Sequence, residues 1–129
     1  MPYMENSVVS FEISTDNPVA VERFYESVFN WSFTEGHGRP YGIISTPASG
    51  SLRGGFWDNS MDERGRNWAI FCVQVRDVAE TCENAVAAGG KVLFGPEAST
   101  GADGMVFAHL LDPSDNHFGV FSRPEPMES

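Results

Sequence analysis

Hydrophobic and polar residues alternate over two stretches of the chain, and each stretch leads into a segment with helical spacing. Between Val9 and Ile13 every second residue is apolar, which is typical of a half-buried strand. In the next segment, from Val21 to Val28, apolar side chains recur every three or four residues and form one helical stripe. The same order starts again sixty residues later, at Ala69. The chain is therefore predicted to contain an internal repeat.

Each predicted helix has a start signal. Asn17 and Asp77 suit the N-cap position because their short side chains accept hydrogen bonds from the first amides of a helix. Pro18 suits the first helical position. Each helix is followed by three strand-like segments with turn residues between them. These segments are residues 31–35, 41–46 and 53–57 in the first repeat, and 91–94, 105–111 and 117–122 in the second.

This pattern predicts the α+β class, with two tandem βαβββ modules. We expect the modules at residues 8–57 and 68–122, within a single domain of residues 1–129 that has a frayed tail at 123–129. A chain of 129 residues that is 41% hydrophobic is long enough for one compact domain and too short for two ordinary ones.

Charge and hydropathy exclude several kinds of partner. Eighteen acidic and eight basic residues give a net charge of −10, which disfavours nucleic acids and anionic membranes. No apolar run is long enough to span a bilayer. The opening residues "MPYMENS" lack the basic start and apolar stretch of a secretory signal. We expect a cytoplasmic protein that binds neither nucleic acid nor membrane.

Several motifs, in this order, resemble the vicinal oxygen chelate superfamily, which includes glyoxalase I, extradiol dioxygenases and bleomycin resistance proteins. The motifs are "FEISTDNPVAVERFYESVFNWSF", "VQVRDVAETCENAVAAGGKVL" and "DPSDNHFGVF". The resemblance covers about residues 8–122 and is strongest to small glyoxalase-like members. It implies two modules that form a curved mixed sheet around a concave, ligand-binding cavity.

The resemblance also implies where a metal would bind. In metal-using members four ligands converge on the concave face, and three of those positions correspond here to Ser10, Ile70 and Gly119. The fourth falls around "GGFWD", where Asp58 has a donor atom. Isoleucine and glycine offer no donor, and a neutral serine is a poor ligand. We predict that the usual metal site is absent, and we expect no metal and no other cofactor.

The face implied to line the cavity combines a few polar groups with an apolar wall, as small-molecule sites commonly do. Aromatic residues on it could form a slot for a planar ligand, or they could be core or dimer contacts. The ligand-binding candidates are Ser10, Tyr41, Phe56, Trp57, Ile70, Cys72, Phe107, Gly119 and Phe121.

Three residues are candidate catalytic groups. Glu12 could be a general base on a mostly apolar wall, or a rim glutamate paired with Arg53. His117 could share a proton with Glu12 or the ligand, because histidine titrates near neutral pH, or it could bond only to water or a turn carbonyl. His109 could act in the same way or be a hydrogen-bonded interior histidine.

Three functions stay open from the sequence. The first is a glyoxalase- or bleomycin-resistance-like protein that binds a small molecule without the usual metal. The second is a metal-independent isomerase, lyase or hydrolase that uses Glu12 and a histidine. The third is a metal-dependent lyase or dioxygenase with a displaced site built from Glu12, His109 and His117. We expect a homodimer, because exposed cavity walls in so small a chain would leave a large apolar patch.

Overall fold

Ten regular elements follow one another along the chain. The computed structural model describes residues 4–36, 39–63, 65–98 and 104–124. The elements are β1 (Ser7–Thr15), α1 (Pro18–Phe29), β2 (Ser32–Gly36), β3 (Arg39–Ser45), β4 (Arg53–Asp58), β5 (Trp68–Gln74), α2 (Val78–Ala87), β6 (Lys91–Ala98), β7 (Val106–Leu111) and β8 (His117–Ser122). This order is βαβββ twice, which confirms the predicted α+β class. Most of the tail predicted to fray lies outside the described residues, from residue 125 onward.

The first compact unit, Ser10–Ile70, is called the N-terminal unit here. Its strands lie in the order β2-β3-β4-β1, with β1 parallel to β4 and the other pairs antiparallel. Its buried core consists of Ile13, Ile44 and Phe56. Helix α1 packs on this core through Val21 and Tyr25.

The second compact unit, called the C-terminal unit, consists of Phe71–Ser129 and Met1–Val9. Its strands lie in the order β5-β8-β7-β6, with β5 parallel to β8 and the other pairs antiparallel. Helix α2 packs on one face of these strands. The buried residues between helix and strands are Val75, Val78, Cys82, Ala108, Leu110 and Val120.

Both predicted helix starts are confirmed. The side chain of Asn17 accepts a hydrogen bond from the amide of Ala20 at 3.4 Å, and Pro18 is the first helical residue. The side chain of Asp77 accepts one from the amide of Glu80 at 3.0 Å. These short side chains satisfy amides that have no partner within the helix, and so fix where each helix begins.

Only part of the apolar stripe predicted for α1 faces the core. Val21 and Tyr25 do, whereas Phe24 and Val28 are 56% and 52% exposed. The indole of Trp31, just beyond the helix, stacks on Tyr25 with ring centroids 4.7 Å apart. Tyr25 therefore gains an apolar contact from a residue beyond the helix. The sequence pattern had instead placed Phe24 and Val28 of the helix in the core.

A buried asparagine fixes the segment that follows β4. Asn59 is 4% exposed, and its Nδ2 donates to the hydroxyl of Ser14 at 2.7 Å and to the carbonyl of Arg66 at 2.8 Å. Asn67 then accepts a hydrogen bond from the amide of Asp16 at 3.0 Å. These bonds tie the loop between the modules to the end of β1.

We predict that Asn59→Ala lowers the free energy of unfolding by about 1–3 kcal/mol, because it leaves the buried hydroxyl of Ser14 and the carbonyl of Arg66 without this donor. Urea denaturation followed by circular dichroism measures the change. The exposed neighbour Ser60 provides the control, Ser60→Ala, which should unfold close to the parent midpoint. Equal midpoints for all three proteins would contradict a structural role for this asparagine.

Candidate functional site

The face of the C-terminal unit that α2 does not cover carries most of the candidate chemistry. Neighbouring residues in a strand point to opposite sides of the sheet. Because Val73, Ala108 and Val120 pack towards α2, the residues that alternate with them lie on the other side. We call this side the site face. Its members include Cys72, Gln74, Phe107, His109, Leu111, His117, Gly119 and Phe121.

Strand register sets these residues in rows. Residues opposite each other on adjacent strands share a face and lie close together. Gly119 is opposite Cys72 on one side and His109 on the other, and His109 is opposite Phe94 on β6. Gly119 therefore leaves the middle of this row without a side chain. The two flanking rows contain Gln74, Phe121 and Phe107, and Leu111 and His117.

The two histidines contact each other directly. His109 Nδ1 lies 2.8 Å from His117 Nε2, and the ring centroids are 4.9 Å apart. The rings thus meet nitrogen to nitrogen. Such a contact needs a proton on one nitrogen and a lone pair on the other. The structure brings together two of the three residues that the sequence proposed for catalysis, and it joins them by one N–H···N hydrogen bond.

This hydrogen bond limits what the histidine pair can do. In the neutral pair, the ring that donates has a lone pair on its outer nitrogen, and the ring that accepts carries an N–H there. A proton added to that lone pair makes one imidazolium and leaves the shared bond in place. A second added proton would set two N–H groups against each other. The shared hydrogen bond is therefore compatible with the neutral pair and with one added proton, and not with two.

Aromatic rings surround His109. Its ring lies 4.4 Å from that of Phe94 and 6.5 Å from that of Phe107, measured between centroids. His109 itself is 6% exposed, whereas Phe94 is 41% exposed and His117 and Phe107 are half-buried. Among these rings, Phe94 is therefore the one most open to solvent.

The turn between β7 and β8 holds His117 next to His109. The carboxylate of Asp112 accepts hydrogen bonds from the amide of Ser114 at 2.8 Å and from the amide and side chain of Asn116 at 3.0 and 2.9 Å. Asp115 closes the turn with a left-handed backbone, at φ 66°. The bonds from Asn116 and Ser114 hold the pKa of Asp112 below its ordinary value.

We predict that Asp112→Ala destabilises the protein most at neutral pH. Because the pKa of Asp112 is lowered in the fold, its stabilising effect is complete above the ordinary value of 3.8 and is lost as the pH falls through the lowered value. The difference in unfolding free energy between parent and variant should therefore shrink in acid. Thermal unfolding of parent and variant at a series of pH values, from neutral to below the lowered pKa of Asp112, measures this difference in unfolding free energy.

The matched control is Ser114→Ala in the same turn, which keeps the carboxylate and should follow the parent's pH dependence. A parent–variant difference for Asp112→Ala that stays constant across this range would contradict the assignment.

Few charged groups accompany the histidines on the site face. The guanidinium of Arg123, just after β8, lies 5.5 Å from the centre of the Phe121 ring, which is a cation–π distance. Glu97 is opposite Phe107 on β6. Among the described residues, the charged groups identified on or beside the site face are thus Arg123 and, on the edge strand, Glu97.

Other sequence candidates lie in the N-terminal unit. Glu12 is opposite Gly55 in the β1–β4 register, and Ser10 is opposite Arg53. Tyr41 is opposite Trp57, with ring centroids 6.2 Å apart.

A close approach explains the glycine at position 55. The hydroxyl of Tyr41 occupies the place where a Cβ atom of residue 55 would be. Glu12 and this tyrosine therefore belong to one face of the N-terminal strands, with no side chain from residue 55 between them.

Phe56 and Ile70 are buried. The ring of Phe56 packs with Ile13 and Ile44 in the core. It also meets the ring of Phe33 edge to face, with ring centroids 4.9 Å apart. It therefore points away from the face of its neighbour Trp57, because adjacent residues of a strand alternate. Ile70 lies on β5, two residues before Cys72 on the same side of that strand.

Two members of the site were missed from the sequence. Phe94 was predicted only as the end of a strand, and Arg123 as part of a frayed tail. The irregular pairing of β6 sets Phe94 opposite His109, and a register shift of this kind has no clear sequence signal. Arg123 could have been found from the sequence, because it lies two residues after Phe121 and therefore falls on the same side of the strand direction.

The chain belongs to the glyoxalase-like family, since a family model described as a glyoxalase-like domain matches residues 10–121. This confirms the membership of the vicinal oxygen chelate superfamily that the motifs predicted. No curated protein matches the sequence.

Solved structures show the same fold at low identity. A hypothetical protein from Bacillus halodurans C-125 is 16% identical, with a TM-score of 0.61 over 98% of this chain and 100% of its own. A protein described as NAD-dependent benzaldehyde dehydrogenase from Legionella pneumophila is 16% identical, with a TM-score of 0.61 over 88% and 97%. Methylmalonyl-CoA epimerase from Mycobacterium tuberculosis is 11% identical, with a TM-score of 0.56 over 98% and 93%.

The donor set at the superfamily's metal positions does not fit a divalent ion. Ile70 and Gly119 offer no donor, so the four positions supply only the hydroxyl of Ser10 and the carboxylate of Asp58, which is too few for a divalent ion. Within the described ranges, no group of three or more His, Cys, Asp or Glu side chains is arranged to hold a metal ion. The same part of the chain contains no helix that is long and apolar enough to cross a membrane.

Proposed function

We propose that this chain is a glyoxalase/bleomycin-resistance-like protein that binds a small, planar organic molecule on the site face, without the usual metal. The observation that carries this proposal is the hydrogen-bonded pair of His109 and His117 among aromatic rings, on the side of the strands that α2 leaves uncovered. Apolar walls with a few placed polar groups are the usual composition of small-molecule sites.

Ring geometry supports a planar ligand. Phe94 meets Phe107 edge to face, with centroids 6.0 Å apart and an angle of 86° between the rings. A flat molecule can add to such an arrangement by stacking on one ring and meeting the edge of the other, which are the preferred aromatic geometries. Gly119 also puts no side chain between Cys72 and His109 in their row.

We predict that protein stripped of metal with a chelator still binds planar aromatic compounds. A thermal-shift screen of such compounds measures the rise in melting temperature with and without added Zn²⁺, Ni²⁺, Mn²⁺ and Fe²⁺, and mass spectrometry measures metal content. Binding that appears only when about one equivalent of metal is present would overturn the metal-free proposal. Phe107→Ala should weaken a hit, whereas Val86→Ala, on the exposed side of α2, should not.

A metal-independent enzyme is the second candidate, and the histidine contact favours it. A general base works best when a neighbouring group orients it, and each histidine here orients the other. Glu12, in the N-terminal unit, is the third proposed group. An isomerase, lyase or hydrolase would use the histidine pair to move a proton to or from its substrate.

If the chain is such an enzyme, it should exchange a carbon-bound proton of a screening hit with deuterium from solvent, as followed by NMR in D₂O. We predict that His109→Gln slows this exchange by about 10²–10⁴-fold, the usual contribution of a general acid–base group. Glu83→Gln, on an exposed position of α2, is the matched control. A hit that binds tightly and never exchanges would favour the binding function.

The expected homodimer and cytoplasmic location stay predictions. So does a displaced metal site built from Glu12, His109 and His117, which the metal-content measurement above also tests.

A further inference from the structure

We infer that the planar ligand of the site face is a carboxylate, and that Arg123 and Gln74 hold its negative group at one end of this face. This inference rests on the proposed function and specifies the chemical class of the ligand and the direction in which it lies.

The row of the site face that contains Phe121 has two different ends. Gln74 is opposite Phe121 on one side and Phe107 is opposite it on the other, and Glu97 is opposite Phe107 on the edge strand. The row thus begins with an amide, continues with two aromatic rings and ends with a carboxylate. Because adjacent strands are roughly 5 Å apart, Glu97 is about 10 Å from the strand of Phe121. An anionic group on a molecule lying along the rings is therefore favoured at the end of Gln74 and repelled from the end of Glu97.

Arg123 supplies the positive charge at the favoured end. Its guanidinium lies 5.5 Å from the centre of the Phe121 ring. In the part of the chain that the structure describes, no carboxylate lies within ion-pair distance of it, although the chain has eighteen acidic residues. Contact with the face of a ring positions a guanidinium without using its N–H groups. These groups form a planar fork that matches the two oxygens of a carboxylate.

The segment before β1 orients Gln74. The amide of Met4 donates to Gln74 Oε1 at 3.4 Å, and the amide of Asn6 donates to the backbone carbonyl of Gln74 at 2.7 Å. Because Oε1 is the acceptor, the other half of the side-chain amide is a pair of N–H donors. Glu5, which this segment also brings to the end of β5, lies 3.3 Å from the guanidinium of Arg76. Gln74 therefore presents donors, and the carboxylate brought beside it is already paired with a cation.

The charge at this end selects a carboxylate over a phosphate. Arg123 contributes one positive charge and Gln74 contributes none, which balances a monoanion. A phosphate monoester carries a charge near −2 at neutral pH. Its second negative charge would face a chain of net charge −10 with no further cation identified on the site face.

The test uses three aromatic probes that share one ring and differ in the group attached to it. They are 4-nitrobenzoate, which is an anion at neutral pH, its neutral analogue 4-nitrobenzamide, and 4-nitrophenyl phosphate. Calorimetry at neutral pH measures the three affinities at low and at high salt. We expect the parent protein to bind the benzoate roughly tenfold or more tightly than the benzamide, the effect of one charge-assisted hydrogen bond. Salt should weaken binding of the benzoate and leave that of the benzamide unchanged.

Two variants locate the group that holds the anion. Arg123→Gln removes the charge. Gln74→Glu keeps an acceptor for the amide of Met4 and replaces the N–H donors with a negative oxygen. Each should lose the preference for the benzoate while binding the benzamide as the parent does, which a merely structural role would not produce. Arg23→Gln, at an exposed position of α1, removes the same charge elsewhere and should keep the preference.

Three results would overturn the inference and leave planar-ligand binding intact. They are equal binding of the benzoate and the benzamide, a preference that survives in Arg123→Gln, and tighter binding of the phosphate than of the benzoate. If neither the benzoate nor the benzamide binds the parent protein, the proposed planar-ligand function is wrong and the inference falls with it.

Discussion

The chemistry of the C-terminal unit depends on the register between β7 and β8. Once Leu111 is opposite His117, the antiparallel ladder necessarily sets His109 opposite Gly119, and the two imidazoles become diagonal neighbours. The Asp112 carboxylate closes the connecting turn with three hydrogen bonds and so leaves little freedom for another pairing. A slip of β8 by one residue would turn His117 into the core beneath α2 and away from His109. The turn is thus as much a part of the site as the rings.

The sequence was sufficient for the architecture because the signals involved are local. Alternation over β1 and β5, the caps at Asn17 and Asp77, and the stretch of turn residues before His117 each depend on a few neighbouring residues. Contacts that depend on distant parts of the chain were less accessible. The pattern grouped Phe24 with the core of α1, and it could not show that Trp31 would stack on Tyr25 and leave Phe24 exposed.

The candidate site was predictable to a similar extent. The cavity implied by the resemblance put His117 on one face, and His109 joined it if its own strand kept the alternation. Their direct bond was not predicted, since it depends on register and on ring rotation together. Phe56 shows the opposite case. It was grouped with Trp57 as a ligand contact, although strand alternation already separates neighbours, and the structure places it in the core.

Gly119 has a consequence for how this fold changes its chemistry. It stands between a thiol and an imidazole, Cys72 and His109, on three adjacent strands whose backbones are roughly 5 Å apart. A carboxylate at this one position would complete a row of sulfur, oxygen and nitrogen donors, a combination that transition metals favour. A single substitution at residue 119 would therefore set three potential metal donors side by side. The existing strand register already places these three positions in one row.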